Sequence, residues 1–172
     1  MGRPKALLDY RGETFVGRLV RILSTLCDPV MVVLGYHGEQ ISEHVAARIV
    51  VNPDPDRGQL SSLQTALAEL PDGPRAFLFI PVDCPTVHEE TIARLIREVE
   101  DKPLVIPRYH GRRGHPVCVS RSLLAEFLAL PPTAETRTAI DAHPERITYL
   151  DLDDPGVLTD IDDAEAYRKM DR

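Results

Sequence analysis

The sequence predicts an α/β fold, a mostly parallel sheet covered by helices on both faces, with one antiparallel hairpin. Three observations predict it. Apolar runs of strand length alternate with stretches of helical periodicity. The strongest runs, residues 29–35 and 75–83, are continuous rather than alternating, as in strands buried on both faces. The segment YHGRRGHPV joins two strands too closely for a helical crossover and fits a hairpin.

Phe15, Leu19, Ile22, Leu23 and Leu26 recur at helical spacing. PVMVVLG (29–35) follows as a strand ended by glycine. GEQISEHVAA (38–47) fits a short helix and RIVVN (48–52) a second strand. DPDRGQL (54–60) is a loop by its Pro, Asp and Gly content. The next helix carries Leu63, Ala66, Leu67 and Leu70 on one face, with Ser61 and Gln64 at capping-box spacing. RAFLFIPVD (75–83) is the strongest strand. Thr86 and Glu89 repeat the capping-box pattern before a helix bearing Ile92, Leu95, Ile96 and Val99. PLVIPRY and HPVCVS are the hairpin strands. RSLLAEFLAL and AETRTAIDAH read as helices, RITYLDL as a strand and DDAEAYRKM as a closing helix. Neither a repeat nor a linker interrupts this order, so 172 residues make one domain.

Composition narrows the function. The formal net charge is −7 and no basic block stands out, which argues against a nucleic-acid groove. An acidic protein that handles phosphates needs local cations or a metal to offset repulsion. Cys27, Cys84 and Cys118 lie far apart in an odd-numbered set, as expected of reduced thiols in the cytoplasm. No apolar run reaches membrane-spanning length and no signal peptide is visible, so the expected location is cytoplasmic.

Ligands of open α/β sheets sit beyond the carboxyl ends of the strands. That rule points to the residues after FLFIPV, to loop 52–60 and to the segment after RITYLDL. Asp83 closes the best strand and suits a hard cation such as Mg²⁺; equally, it solvates a strand end. Asp160 and Asp162 point the same way if their segment is extended, so both can join Asp83 around a metal. The competing reading makes Asp162 a helix N-cap. Gly58, Ser61 and Ser62 lie where a polar loop enters a helix, a place that accepts anions or a base, or serves only to cap. Arg112 and Arg113 sit at a hairpin tip, His115 precedes a proline, and Lys5 follows one; each is also an ordinary solvated or structural side chain. The other histidines, His143 among them, show no ligand spacing.

Taken in order, MGRPKALLDYRG, GQLSSLQTAL, PVDCPTV, RGHPVCVSRSLL and TDIDDAEAY resemble the MobA-like nucleotidyltransferase family over residues 1 to about 169. The branch they look most like is the molybdenum cofactor cytidylyltransferases. The resemblance implies a three-layer α/β/α sandwich, the Rossmann-like nucleotide-diphospho-sugar transferase fold. It implies transfer of a nucleoside monophosphate from an NTP, CTP favoured, to a phosphorylated acceptor such as molybdopterin, with release of pyrophosphate. Guanylyl transfer, transfer to a sugar phosphate, and a non-catalytic role in holding or delivering the cofactor to a molybdoenzyme client are the alternatives. By the same resemblance Lys5 neutralises the triphosphate, and Asp83, with Asp160 and Asp162, binds Mg²⁺. Ser61 and Ser62, beside Gly58, line the nucleoside pocket, and His115 lies toward the acceptor. The family writes Thr-Pro where this chain has Asp163 and Ala164.

Family members begin with a strand and a glycine-rich loop whose arginine precedes the residues matched by Met1 and Gly2. This sequence starts after them, so the domain, residues 1–172, is expected to lack its first strand and that loop. A start assigned too late is the preferred explanation, ahead of truncation or degeneration to a binder. Little transferase activity is expected of residues 1–172 by themselves, and more of a form extended upstream.

Overall fold

The computed structural model describes residues 3–142 and 144–170. Met1, Gly2 and His143 lie outside the described residues. A 3-10 turn at Lys5–Leu7 leads into a small hairpin, β1 (Asp9–Tyr10) and β2 (Glu13–Thr14), that the sequence reading did not assign. Its turn holds Arg11 and Gly12 at positive φ, 55° and 85°, the backbone that tight two-residue hairpins require. α1 (Phe15–Ser24) then starts at Thr14, whose hydroxyl accepts the Gly17 amide proton at 3.1 Å.

β3 (Met31–Leu34), α2 (Gly38–Ser42) and β4 (Arg48–Val51) form a parallel βαβ unit in which Met31 pairs with Arg48 and Leu34 with Val51. α3 (Gln59–Ala68), β5 (Ala76–Phe79) and α4 (Glu89–Glu98) follow. β6 (Leu104–Tyr109), β7 (Arg112–Arg113) and β8 (Val117–Ser120) make the expected hairpin. α5 (Leu124–Ala129), α6 (Thr136–Asp141), β9 (Ile147–Asp151) and α7 (Ala164–Lys169) complete the order. β8 pairs antiparallel with both β5 and β6, while β9 pairs parallel with β6. The sheet is therefore mixed, with the returning arm of the hairpin inserted between two strands that run the same way.

Strand alternation divides the core into two layers of packing. Phe77, Leu104, Ile106 and Val119 meet Leu60 and Leu67 of α3, Phe127 of α5 and Ile140 of α6. On the opposite face Leu78 meets Leu19 and Ile22 of α1 and Ile92 of α4, while Val105 and Cys118 meet Leu95. Helix, sheet and helix form the three-layer α/β/α sandwich.

Two local expectations fail. Ser61 does not begin α3; it lies inside the helix, whose N-cap is Gly58 at φ +94°. Gln64 turns away from a cap and donates to the Phe127 and Leu130 carbonyls, each at 2.8 Å. Likewise Thr86 does not cap α4. The cap position is His88, and the Thr86 hydroxyl is buried without a partner among the described residues. In both places a tertiary hydrogen bond displaces the local motif.

The hairpin is pinned where it leaves β7. The Gly114 amide donates to the Pro107 carbonyl at 3.0 Å, and the next amide, of His115, donates to the Val157 carbonyl at 2.8 Å. A Cβ at position 114 would stand 1.9 Å from that Val157 oxygen. Gly114→Ala is expected to cost about 2–3 kcal/mol by overpacking against backbone, read as a lower urea midpoint at unchanged m-value.

Candidate active site

After β5 the chain turns at residues 81–84, where the Cys84 amide donates to the Pro81 carbonyl at 3.2 Å. This leaves Asp83 at the carboxyl end of the sheet. Its own carbonyl accepts the Ile161 amide at 3.1 Å, which draws segment 159–163 alongside. Ile161, 3% exposed, packs among Leu8, Tyr10 and Phe15. Burial of that side chain turns its exposed neighbours Asp160 and Asp162 the other way, toward Asp83. One oxygen from each of Asp83, Asp160 and Asp162 lies within 4.8 Å of the other two.

Lys5 reaches the same point from the start of the chain. Buried Ala6 and Leu7, packed with Val16 and Val20 of α1, anchor its turn. The Lys5 Nζ stands 2.6 Å from Asp162 Oδ1 and 3.7 Å from Asp83 Oδ2. The cap of α7 falls to Asp163, whose Oδ1 accepts the Glu165 and Ala166 amides at 2.8 Å each. Asp162 is thereby free of the capping role that competed for it.

The charges shape one another. Burial disfavours the Lys5 ammonium, but its hydrogen bond to Asp162 and the charges of Asp162, Asp83 and Asp160 outweigh this and hold its pKa above the ordinary value. The hydrogen bond from Lys5 keeps the Asp162 carboxyl below the usual range. Asp160 is pushed up, first by burial and then by the Asp83 and Asp162 charges. A carboxyl raised on folding favours the native state at acid pH, and this is lost as pH rises through the folded pKa; at neutral pH Asp160 opposes folding. Asp160→Asn is expected to raise the Tm of the metal-free chain and to weaken Mn²⁺ binding, measured by thermal melts with and without the ion.

The second half of the site lies at the carboxyl end of β4. Asn52, 4% exposed, donates from Nδ2 to the Ser61 hydroxyl at 2.9 Å and to the Ser62 hydroxyl at 3.0 Å. Its Oδ1 accepts the Asp54 amide at 3.0 Å, and Ser61 donates to the Gly58 carbonyl at 2.8 Å. This network shapes loop 52–58 and occupies Ser61. Asn52 was missed by the sequence reading, although a lone amide closing an apolar strand was its available signal.

Gly58 and His115 line one cavity of about 470 Å³, together with Arg57 and Arg113. Asp83 and Ser62 line another, of about 900 Å³, and Gln59 borders both. His115 packs edge-on to Phe79, with ring centroids 6.5 Å apart. Burial lowers its pKa below the ordinary imidazole value, despite the Asp83 charge. Cys84, beside Asp83, is pushed up to about 12 by burial and then by the Asp83 charge, so its thiol is a poor nucleophile at neutral pH.

Three carboxylates form a hard oxygen donor set. Asp83, Asp160 and Asp162 would suit a hard divalent cation such as Mg²⁺ or Mn²⁺.

Carboxylates and a lysine gathered at the carboxyl end of a three-layer α/β/α sheet place the chain among α/β proteins whose site would suit a phosphate-bearing ligand with a divalent cation. Residues 1–147 match the MobA-like NTP transferase domain, and the chain belongs to that nucleotidyltransferase family. It is 27% identical over 144 residues to the molybdenum cofactor cytidylyltransferase of Escherichia coli K12, covering 81% of this chain and 73% of that protein. It is 30% identical to the nicotine blue oxidoreductase of Paenarthrobacter nicotinovorans, over 99% of this chain and 89% of that one. Among solved structures it resembles Rv0371c of Mycobacterium tuberculosis H37Rv, with a TM-score of 0.81 and 25% identity over 98% of this chain and 89% of the other. A second structure of Rv0371c is a manganese complex.

Proposed function

We propose that the protein transfers a nucleoside monophosphate, CMP from CTP, to a phosphorylated acceptor of the molybdopterin kind and releases pyrophosphate. The observation that carries this reading is the meeting of Asp83, Asp160 and Asp162 beside Lys5. Those carboxylates would hold a divalent ion, Mg²⁺ or Mn²⁺. When bound, the ion offsets charge on the triphosphate and the leaving pyrophosphate. Lys5 contributes a fixed positive charge to the same oxygens, and its raised pKa keeps it protonated at neutral pH. An acceptor phosphate is already an anion, so the chain need supply no strong base. Positioning then does most of the remaining work. Gly58, whose amide donates to the Pro55 carbonyl at 3.1 Å, and Ser62 border the nucleoside side; His115 and Arg113, the latter held by Asp141 at 2.6 Å, border the acceptor side.

Similarity to the Escherichia coli cytidylyltransferase supports CTP and the molybdenum cofactor. Likeness to a protein named an oxidoreductase, over nearly the whole chain, supports a second reading, since one fold hosts unrelated activities. Thermal shift separates them. CTP with Mn²⁺ is expected to raise the Tm more than ATP, GTP or UTP, and Asp83→Asn to abolish the rise. Equal stabilisation without any divalent ion would sink the transferase reading. Turnover of nicotine blue, with no NTP effect, would favour the second.

A further inference from the structure

Three arginines border the cavity of about 470 Å³: Arg57 ahead of α3, Arg113 of β7 and Arg137 of α6. Glu135 is the one carboxylate among the described residues that border it with them. In a chain of net charge −7 this local excess of cations runs against the average. Each arginine is nonetheless held by a carboxylate outside the lining. Arg57 Nε stands 2.7 Å from Asp54 Oδ2. Arg113 lays its two terminal nitrogens on the two oxygens of Asp141, at 2.6 and 3.0 Å. Arg137 Nε stands 3.7 Å from Oδ2 of the same Asp141. One carboxylate thus serves two of the three arginines.

A guanidinium carries five N–H donors in a fixed fork. The end-on pair with Asp141 takes one donor from each terminal nitrogen of Arg113 and leaves three for a ligand. Arg137 is too far from Asp141 for a hydrogen bond, so its terminal fork stays available to the cavity. Asp141 therefore has two effects. It fixes the plane of Arg113 between β7 and α6, and it offsets charge that an entering anion would meet. The pair is a firm one: the Arg113 hydrogen bond holds the Asp141 carboxyl below the usual range. Counted together, Arg57, Arg113 and Arg137 are balanced by Asp54, Glu135 and Asp141. A singly charged anion entering such a balanced site loses water for little return. A terminal phosphate carries up to two charges and three acceptor oxygens. Those oxygens suffice for contacts with both Arg113 and Arg137.

We propose that Asp141 sets the charge selectivity of this cavity: by sharing Arg113 and Arg137 it reserves them for a doubly charged phosphate monoester and turns away singly charged and neutral acceptors. Arg137 is then a phosphate-holding side chain beside Arg113, and Asp141, which does not touch the ligand, is a positioning residue. Both stand on α6, outside the five segments that carry the family resemblance. The inference rests on the acceptor side of the proposed transferase site.

The test uses the metal-free chain without nucleotide at about pH 8, above the second phosphate pKa of about 6. Methyl phosphate, a dianion there, dimethyl phosphate, a monoanion, and inorganic phosphate are titrated against the arginine Nε–H resonances, which read position and affinity together. The parent is expected to bind methyl phosphate at least about tenfold more tightly than dimethyl phosphate. Asp141→Asn keeps the side-chain shape but removes the charge, and should narrow that ratio to about threefold or less by admitting the monoanion. Arg137→Gln should weaken methyl phosphate by about three- to tenfold. Its side chain is 64% exposed, so the unliganded Tm should match the parent. An unchanged ratio in Asp141→Asn makes the pair with Arg113 a structural tie only and overturns the proposal. So does parental affinity in Arg137→Gln, or a parent that does not distinguish the two esters. Binding of inorganic phosphate without methyl phosphate overturns the monoester source. The melts with CTP and Mn²⁺ test the transferase reading separately: a failed melt beside the expected ester ratios would remove that reading and keep the charge selectivity.

Discussion

Asp83→Asn is expected to lower nucleotidyl transfer by about 10²–10³-fold, the scale on which loss of one preorganised electrostatic group acts at such a site, while leaving the metal-free fold intact. Asp83 is the member of the acidic trio held on the sheet itself, and its backbone carbonyl receives Ile161. Asparagine keeps that backbone bond and the side-chain shape but removes the charge that faces Lys5 and would face the proposed ion. Mn²⁺ titration followed by electron paramagnetic resonance reads the loss directly, without any turnover. The free chain should not suffer, because the Asp83 charge is one of the causes that push the Asp160 carboxyl up. Asp163→Asn is the control. It stays a competent N-cap and touches no proposed ligand, so Mn²⁺ affinity should hold. If Asp83→Asn binds Mn²⁺ as tightly as the parent, the trio is a charge cluster and the transfer mechanism falls.

The directions of the three acidic side chains were legible in the sequence because they are set locally, although the contact between Ile161 and Asp83 that joins the two segments is long-range. Alternation about one apolar residue, Ile161, aims Asp160 and Asp162, and a strand end presents Asp83. The β3, β4, β5, β6 and β9 strands were legible for the same reason, as apolar runs of the right length. The helix starts were not. At α3 the pattern Ser61–Gln64 looks like a capping box, but the buried amide of Asn52 claims Ser61 from nine residues earlier. At α4 the pattern Thr86–Glu89 fails because a carboxylate 66 residues downstream takes the His88 amide. The β1–β2 hairpin escaped because two-residue strands have no periodicity to read. The insertion of β8 between β5 and β6 is a matter of pairing order, which a hairpin signal does not contain.

Asp154 is that downstream carboxylate, and Asp154→Ala is expected to be the most destabilising substitution among those considered, by about 3–5 kcal/mol. The residue is 2% exposed. Oδ2 accepts the His88 amide at 3.0 Å and the Thr91 hydroxyl at 2.7 Å; Oδ1 accepts the Gly156 amide at 2.8 Å. Alanine leaves these donors buried without an acceptor, which costs more than the bonds themselves contribute. Asparagine does not rescue the site, since its amino group would face donors where an acceptor is needed. The void cannot close by collapse of the loop, because Gly156 already lies so near the Thr86 carbonyl that a Cβ there would stand 2.6 Å from its oxygen. Asp154 also clamps segment 154–158 to the loop after Asp83, and segment 154–158 leads directly to Asp160 and Asp162. The variant should therefore lose Mn²⁺ affinity even at temperatures where it remains folded. Urea unfolding gives the first effect and ion titration below the transition gives the second. A stable variant with parental Mn²⁺ affinity would show that the two acidic segments are held together by Ile161 alone.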